Sequence, residues 1–547
     1  MKKICFFAGV LLACSIDLFA QGNEIDAYTL SKYDLGGTAR SMAMGGAFGA
    51  LGGDMSVLSN NPAGLGIYRS SEVSGTFDLS IVGTNTDWSG MKTNKRSTRP
   101  GMNNFGFELY FPTSSGAFQN WNFAFSYNKL KNYQRKYTME SDQQKYSMAD
   151  YIASRATNAF IDNNGNYYGI DENDLGADNA YTIAYMSGQW LPVLGYGAGM
   201  FGNMTGVASD VYHSAFGEKR PDGTYDIFSP NSSLMTVIES GSVDEYNIGL
   251  GTNISNILFL GASFTYTDLS YRLNSDYEEL FHYTSTQNDH LYLQNWLNTE
   301  GIAVSANFGA IVNLQNVRLG VAYNSPRYFT MTDYYNASAG TYINGYNPPD
   351  MEDKTPNDVY SEYSFLAPGK WIFSGAIILG QTALVSADYE MTNYGKMQFS
   401  DREGHTNDYN MNSDIRADFT RGHALKLGGE VKITPQFAVR AGYMMQTSPM
   451  KAQLYNNTVE VLPSGTIPHF TVTSKPTNYY TAGLGYRFTP NFYMDMAFVY
   501  GIHKADAYAF SNTYYSEPQY GIEPVYSTPA ALTTKKAQIA LTLGYKF

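Results

Sequence analysis

The last twelve residues decide the fold; they read Lys536-Ala537-Gln538-Ile539-Ala540-Leu541-Thr542-Leu543-Gly544-Tyr545-Lys546-Phe547. Every second residue from Ala537 to Phe547 is apolar or aromatic, and the residues between them are small or polar. A period of two is that of a β-strand, whose side chains point alternately to opposite faces. Similar strands recur along the chain. Contact with lipid therefore accounts for their apolar faces more simply than burial under a second protein layer. Outer-membrane barrels have this pattern, with about ten alternating residues in each strand.

The amino terminus has the features of a secretory signal peptide. Lys2 and Lys3 precede a short apolar stretch, Ile4 to Ala13, and Ala20-Gln21 is a suitable cleavage point. We therefore assign residues 1–20 to a signal peptide. Both cysteines of the chain lie within it, so the mature protein is expected to lack disulfides, thiol catalysis and cysteine-bound metals.

The composition of the remaining chain suits a barrel better than a helical membrane protein. The sequence has no apolar run near the roughly 20 residues that a spanning helix needs. It is rich in aromatic residues and glycine, with 46 Tyr, 31 Phe and 52 Gly, which suit interfacial girdles and tight turns. The net charge of −13 provides no basic surface, so nucleic acid is not expected as a partner.

Short and long connections alternate between the predicted strands. Five hairpins turn at very short polar segments: Asn253–Asn256, Leu314–Asn316, Gly380–Thr382, Thr434–Gln436 and Thr489–Asn491. Between them lie long polar connections: 130–241, 275–297, 331–359, 399–421, 446–477 and 504–532. Outer-membrane barrels have short periplasmic turns and longer extracellular loops. The short turns are therefore predicted to face the periplasm.

The number of strands depends on residues 180–206. A hairpin turning at Trp190–Pro192 would give sixteen strands, whereas helical loop structure would give fourteen. The apolar residues of this segment recur at helical spacing (Ile183, Met186, Trp190, Leu191 and Leu194). This favours an all-β fold: a transmembrane antiparallel β-barrel of about fourteen strands whose long extracellular loops contain some helix.

Residues 21–70 differ from the strands that follow them. They are rich in small residues and contain Arg40, the glycine pair Gly45-Gly46, Asp54 and the turn sequence Asn61-Pro62-Ala63. This segment resembles the hatch of the FadL/TodX family of outer-membrane transporters for hydrophobic compounds. In that family a glycine- and arginine-containing stretch is followed by Asp and then by Asn-Pro-Ala before the first strand. Small residues would let the backbone thread through a narrow lumen, and Asn61-Pro62 favours a fixed turn.

The resemblance implies three segments: a signal peptide (1–20), a hatch or plug (21–70) and the barrel (71–547). It also implies passive transport of long-chain fatty acids or aromatic hydrocarbons across the outer membrane, with no cofactor. The terminal Phe547 is then expected to be read by the barrel-assembly machinery. Outer-membrane lipid is the surrounding partner, and a monomer is expected.

Inward-facing charges could line a transport path. Arg272, Lys426 and Arg440 are the candidates for meeting a ligand carboxylate, because cationic side chains bind it with charge-assisted hydrogen bonds, bidentate in the case of arginine. The alternative is structural, since the lumen of any barrel pairs such charges with one another.

Two other functional classes stay open from the sequence. One is a surface receptor or adhesin whose long tyrosine-rich loops bind haem or a host ligand; the other is a general porin. The seven histidines are scattered, without a close pair or metal-binding spacing, and no hydrolase, phosphate-loop or dinucleotide motif occurs. The sequence therefore gives no ground for predicting an enzyme or a metal site.

Overall fold

The structure is a computed structural model. It describes the following residues: 22–113, 116–161, 167–183, 188–203, 210–219, 225–282, 289–344, 348–357, 359–406, 411–515 and 523–547. The predicted signal peptide lies outside these residues.

Within the described residues the helices are short. They are α1 Glu24–Ser31, α2 Ala39–Ala43, α3 Val57–Asn60, α4 Met148–Thr157, α5 Glu172–Leu175, α6 Trp190–Gly197, α7 Met411–Asp418 and α8 Ala452–Tyr455, with 3-10 turns at Pro62–Ile67, Ala180–Thr182 and Tyr394–Lys396. None of these helices combines the length and the apolar character that crossing a membrane requires.

The strands make up most of the chain. They are β1 Glu72–Trp88, β2 Met91–Pro112, β3 Phe118–Asn132, β4 Arg135–Ser141, β5 Phe160–Ile161, β6 Tyr167–Tyr168, β7 Phe201–Gly202, β8 His213–Ser214, β9 Gly217–Lys219, β10 Tyr225–Ile227, β11 Ser232–Ile254, β12 Leu258–Phe281, β13 Asp289–Leu314, β14 Val317–Asn324, β15 Arg327–Tyr342, β16 Asp350–Lys354, β17 Val359–Ala367, β18 Lys370–Leu379, β19 Ala383–Asn393, β20 Gln398–Ser400, β21 Arg421–Lys432, β22 Phe437–Gln446, β23 Phe470–Val472, β24 Thr477–Arg487, β25 Phe492–Tyr508 and β26 Ala530–Lys546.

Twenty of these strands form a closed antiparallel barrel with fourteen positions, whereas β5–β10 form three separate two-stranded sheets. Nine positions hold one strand each, and five hold consecutive strands that continue one another: β3/β4, β14/β15, β16/β17/β18, β19/β20 and β23/β24. The last strand pairs with the first along its whole length, from Glu72↔Lys546 to Trp88↔Ala530. Closure leaves the barrel without a free sheet edge at this seam. The predicted fold and the count of fourteen strands are confirmed.

The predicted apolar face of the terminal strand is confirmed as well, and the first strand continues it. On β1 the side chains of Phe77 and Leu79 point outward and are 57% and 42% exposed. On β26, Ile539, Leu543 and Tyr545 are likewise 40% to 49% exposed. Pairing aligns the two strands so that these residues form one apolar band, which suits strands that cross a membrane.

The short turns fall where the sequence predicts them. β11 ends at Ile254 and β12 begins at Leu258, with Ser255 and Asn256 at positive φ in the turn. The other four turns lie within a residue or two of the predicted positions. By contrast, the predicted loops 275–297 and 331–359 are too long, because β12 continues to Phe281, β13 begins at Asp289 and β15 continues to Tyr342. Outside the membrane both faces of a strand can be polar, so alternation no longer marks these extensions.

The segment at 180–206 forms helix and not a hairpin in its described part, as the sequence favours. Trp190, Leu191 and Leu194 lie on α6 and are buried against α4, where Tyr151 and Ile152 are also buried. These helices belong to a continuous apolar core that the extracellular loops share with the upper strands. The helical spacing of the apolar residues was therefore the correct indicator.

Residues 22–70 lie inside the barrel. Their contacts reach strands on all sides: the amide of Ala39 donates to Thr542 Oγ1 on β26 at 2.8 Å, that of Gly49 to Asp388 Oδ2 on β19 at 2.8 Å, and Ser59 Oγ to Glu245 Oε1 on β11 at 2.5 Å. Nearly every residue from 35 to 65 is buried. We call residues 22–70 the lumenal segment.

The depth of the apolar band gives a first prediction. Leu541 is in the middle of the outward rows, opposite Phe77 on β1 and Met496 on β25, whereas Ala531 is on the same face near the extracellular end of β26. We expect Leu541→Arg to destabilise the barrel by about 2–4 kcal/mol and Ala531→Arg by about 1 kcal/mol or less. Urea unfolding in lipid vesicles measures both, and equal costs would contradict the assigned depth.

Candidate functional site

The lumenal segment is held in shape by its own polar residues. Thr38 caps α2, and its hydroxyl donates to both carboxylate oxygens of Asp54 at 2.9 and 2.8 Å. Asp54 also accepts the backbone N–H of Ser56 at 2.9 Å and its hydroxyl at 2.7 Å. Asp54 thus ties two turns of the segment together, sixteen residues apart in sequence.

Asn61-Pro62-Ala63 makes a turn that docks on the wall. Asn61 Oδ1 accepts the N–H of Ala63 at 3.1 Å, and Nδ2 donates to the carbonyls of Gly49 at 2.7 Å and Ala310 at 3.4 Å. Pro62 begins the following 3-10 turn, where its fixed φ is suitable. The motif therefore joins two parts of the lumenal segment to β13.

Glycines on the inner faces of the strands make room for this segment. A Cβ atom at Gly442 would lie 2.3 Å from the backbone nitrogen of Gly45, and one at Gly428 would lie 2.5 Å from the carbonyl oxygen of Met44. Gly45 itself has a φ of +64°. Backbone approaches backbone here, so a side chain at any of these positions would push the segment away from the wall.

Arg40 anchors the segment through an ion-pair network. Its guanidinium donates to Glu430 from Nε at 2.9 Å and Nη2 at 3.1 Å. Arg440 donates to the same carboxylate at 2.6 Å and to Asp495 at 2.5 Å. Glu430, Arg440 and Asp495 are all buried. The predicted ligand-path residue Arg440 is therefore already paired with two carboxylates.

The other two predicted ligand-path residues do not line a free path either. Lys426 is buried and binds Glu390, which Lys370 also approaches at 3.7 Å. Arg272 is on the outward face of β12 and donates to Asn298 Oδ1 at 3.2 Å, so its predicted inward direction is wrong. Above the apolar band the outer face meets water, and a polar outward residue there cannot be told from a lumenal one by sequence.

A cavity of about 170 Å³ lies above the ion-pair network, between α1 and the wall. Its lining combines apolar and aromatic surface with cationic groups: Tyr28, Lys32, Val82, Lys131, Tyr133, Val472, Tyr479, His503 and Lys536. Asp34 pairs with Lys536 at 3.1 Å, and Glu239 pairs with Arg135. We call this space the upper cavity.

Two ammonium groups in the upper cavity make no ion pair with a carboxylate among the described residues. Lys131 Nζ donates to the carbonyl of Thr29 at 2.5 Å and lies 4.5 Å from the ring centre of Tyr133. Lys32 Nζ donates to Thr477 Oγ1 at 3.2 Å. Burial lowers the pKa of Lys32 to about 8, although the nearby Asp34 opposes this shift. The cavity thus combines apolar walls with an excess of positive charge.

Sequence reasoning missed Lys131 because of a β-bulge. Pairing of β3 with β11 shifts between Asp244↔Lys129 and Val243↔Lys131, so Leu130 is the extra residue. A bulge inverts the alternation that follows it, and Lys131 faces inward while Lys129 shares the outward row of Asp244. No local sequence pattern marks this bulge.

The wall is interrupted beside the upper cavity. β2 pairs with β3 from Pro112↔Asn120 to Asn104↔Asn128. The extracellular half of β2, before Asn104, pairs with β1 alone among the described strands. After Tyr133-Gln134 the chain continues as β4, which pairs with β11 and leans toward the inner face of β2, where Gln134 donates to Ser97 at 2.9 Å. The N–H and C=O groups on this edge of β2 therefore lack a neighbouring strand.

The described residues offer no obvious place for a metal ion. No group of three or more His, Cys, Asp or Glu side chains among them could hold one. The site is a lumen that holds residues 22–70, with an apolar, cationic cavity next to a break in the wall.

Comparison with known proteins agrees with this architecture. A profile of the outer membrane protein transport protein family (OMPP1/FadL/TodX) matches residues 242–547, more than half of the chain. No curated protein sequence matches the chain.

Among solved structures, a FadL homologue of Pseudomonas aeruginosa is similar with a TM-score of 0.51 and 12% identity, over 94% of this chain and 99% of that one. The toluene transporter TodX of P. putida gives 0.47 and 12%, over 94% and 99%. TbuX, the toluene transporter of Ralstonia pickettii, gives 0.45 and 12%, over 95% and 100%. The first of these likenesses supports the fold.

The resemblance read from the sequence and the predicted location in the outer membrane are therefore confirmed. The matched residues include the terminal strand but begin after the lumenal segment, so the family profile leaves the hatch motif untested. The family and the fold are those of transport channels. The chain belongs to the OMPP1/FadL/TodX family of outer-membrane transport proteins, and its function is the transport of hydrophobic compounds across the outer membrane.

Proposed function

We propose that the chain transports amphiphilic molecules with a long apolar part and an anionic head, of the long-chain fatty-acid type, by passive diffusion. Residues 21–70 act as the hatch, and the chain acts without catalysis. Aromatic hydrocarbons, the other class predicted from the sequence and the substrates named for the toluene transporters, are the alternative. The excess positive charge in the upper cavity is the observation that favours the anionic amphiphile over the hydrocarbon.

The energetics favour an anionic head. Lys32 and Lys131 are partly removed from water and make no ion pair with a carboxylate in the described part of the chain, which is costly for a charged group. A ligand carboxylate between them would supply charge-assisted hydrogen bonds, and the chain of the ligand would lie against Tyr28, Tyr133 and Tyr479. Toluene would use the apolar walls but would leave both ammonium groups unpaired.

The route follows from the two sides of the upper cavity. On one side lies the break between β2 and β4, lined by Tyr133 and Gln134; on the other lies the lumenal segment with Asp34. A shift of the segment would open the cavity further, and the break offers a lateral exit into the membrane. The sequence contains no recognisable energy-coupling element, so the concentration gradient drives transport.

The exposed terminal Phe547 fits recognition by the barrel-assembly machinery, and we propose a monomer.

The charge in the cavity is tested by Lys131→Met. We expect a roughly tenfold or greater loss of oleate affinity, as for a lost charge-assisted hydrogen bond, and no change for toluene. Lys129→Met is the matched control, since Lys129 is two residues away on the outer face. Titration of the purified protein measures both ligands. Equal losses for oleate and toluene, or none for oleate, would contradict the anionic head.

The pH dependence of binding follows from Lys32. Its ammonium form binds the carboxylate, and its pKa is about 8 in the ligand-free protein. Between pH 6.5 and about 9.5 the free Lys32 loses its proton, so oleate affinity should fall while toluene affinity stays constant. Lys32→Met should weaken this dependence of oleate affinity on pH. A wild-type profile that rises with pH would show that Lys32 does not meet the ligand.

The hatch is tested at Gly442. A Leu side chain there would collide with Gly45 and Met44, whereas a Cβ atom at Gly429, on the outer face of β21, would meet its nearest atom only at 3.7 Å. We expect Gly442→Leu to displace the segment and raise ion conductance in planar bilayers, with the barrel still folded. Gly429→Leu should conduct like the wild type. Unchanged conductance in folded Gly442→Leu would argue against a lumen closed by residues 21–70.

A further inference from the structure

The outer surface carries an uneven distribution of charge just above the apolar band. Strand register places outward residues of β25, β26, β1 and β2 in rows across the wall. The uppermost apolar row contains Tyr500, Ala537 and Ile81. The next row up contains Lys535 and Arg96, with Gly83 between them. Lys504 is in the row above that one. Three cations therefore lie on one sector within two rows of the band.

These cations are available to a partner. Arg96, Lys504 and Lys535 are all exposed, and none of them makes a side-chain hydrogen bond or ion pair among the described residues. The nearest acidic residues of this sector are in a third row, where Asp87 pairs with Lys92 at 3.7 Å. The first two rows of the sector thus have no acidic residue to neutralise them.

Gly83 shapes the space between two of the cations. It pairs with Lys535 on one side and with Arg96 on the other, so these residues are two strand spacings apart, about 10 Å. A Cβ atom at Gly83 would meet its nearest neighbour only at 4.0 Å, so the outer surface is open at this point. The result is a notch with a cation on each rim and apolar residues directly below it.

Another sector of the barrel has the opposite charge. In the row above Tyr246 and Tyr266, the outward residues of β11 and β12 are Asp244 and Asp268, beside Lys129 of β3, and Glu300 of β13 is in the next row. The chain as a whole is acidic, with a net charge of −13. The cationic sector is therefore a local feature and does not reflect the average composition.

We propose that Arg96, Lys535 and Lys504 bind the phosphate groups of an anionic lipid of the outer leaflet. The apolar residues directly below the notch support this occupant. A lipid whose acyl chains lie along Ile81, Leu79 and Phe77 would bring its headgroup to the level of the notch. Charge complementarity supports it too, since arginine and lysine are the usual phosphate ligands. The same sector adjoins the unpaired edge of β2, so a bound lipid would lie next to the break in the wall.

Diphosphoryl lipid A and the same lipid without its phosphates are suitable probes. We expect the purified barrel to retain the phosphorylated lipid more strongly, by roughly fivefold for each interfacial cation, as measured by native mass spectrometry. The double variant Arg96→Gln/Lys535→Gln should lose most of this preference. The control Lys354→Gln/Arg402→Gln removes two exposed cations that pair with Glu352 and Glu362, and should keep it.

Two further measurements, competition with inorganic phosphate and variation of the salt concentration, identify the source of the phosphate and the nature of the contact. Inorganic phosphate at millimolar concentration should not displace the lipid, because the acyl chains supply part of the binding. Higher salt should weaken retention of the phosphorylated lipid alone. Equal retention of the two lipids by the wild type, full retention by folded Arg96→Gln/Lys535→Gln, or displacement by inorganic phosphate would each overturn the proposal.

Discussion

The constraint on which the whole structure depends is that backbone polar groups have no water to bind inside a membrane. Strands can satisfy one another only in a closed ring, and here the pairing of β26 with β1 closes it along seventeen residues of each strand. Closure then fixes the direction of the side chains. Outward residues such as Phe77 and Ile539 form the apolar band, and inward residues must find polar partners in the lumen.

The lumenal segment supplies those partners. Buried inward residues from several strands bind it directly, including Thr542, Asp388 and Glu430. Where the wall has glycine, backbone meets backbone instead, as at Gly442 and Gly45. Of the charges that were predicted to meet a ligand, Arg440 serves this docking, because it shares Glu430 with Arg40 of the lumenal segment. The upper cavity is different, since its ammonium groups exceed its carboxylates, and this is why the proposed ligand site lies there and not at the ion-pair network.

Sequence reasoning succeeded where one physical rule acted alone. Alternation identified the outward faces because lipid demands an apolar residue at every second position, and short turns such as Gly380–Thr382 are local in sequence. It failed where two environments look alike or where contacts are distant. The prediction for Arg272 failed because water, not lipid, surrounds that height of β12, so a polar side chain can point outward there. Lys131 is inward because of a bulge, and the docking of Gly442 against Gly45 joins residues almost four hundred positions apart.

The most direct test of the account is an experimental structure of the protein with bound oleate. The account predicts the carboxylate in the upper cavity, within hydrogen-bond distance of Lys32 Nζ and Lys131 Nζ, with the acyl chain against Tyr28 and Tyr133. It also predicts residues 22–70 inside the barrel. Oleate bound only on the loops, with the upper cavity empty and the lumenal segment in place, would contradict it.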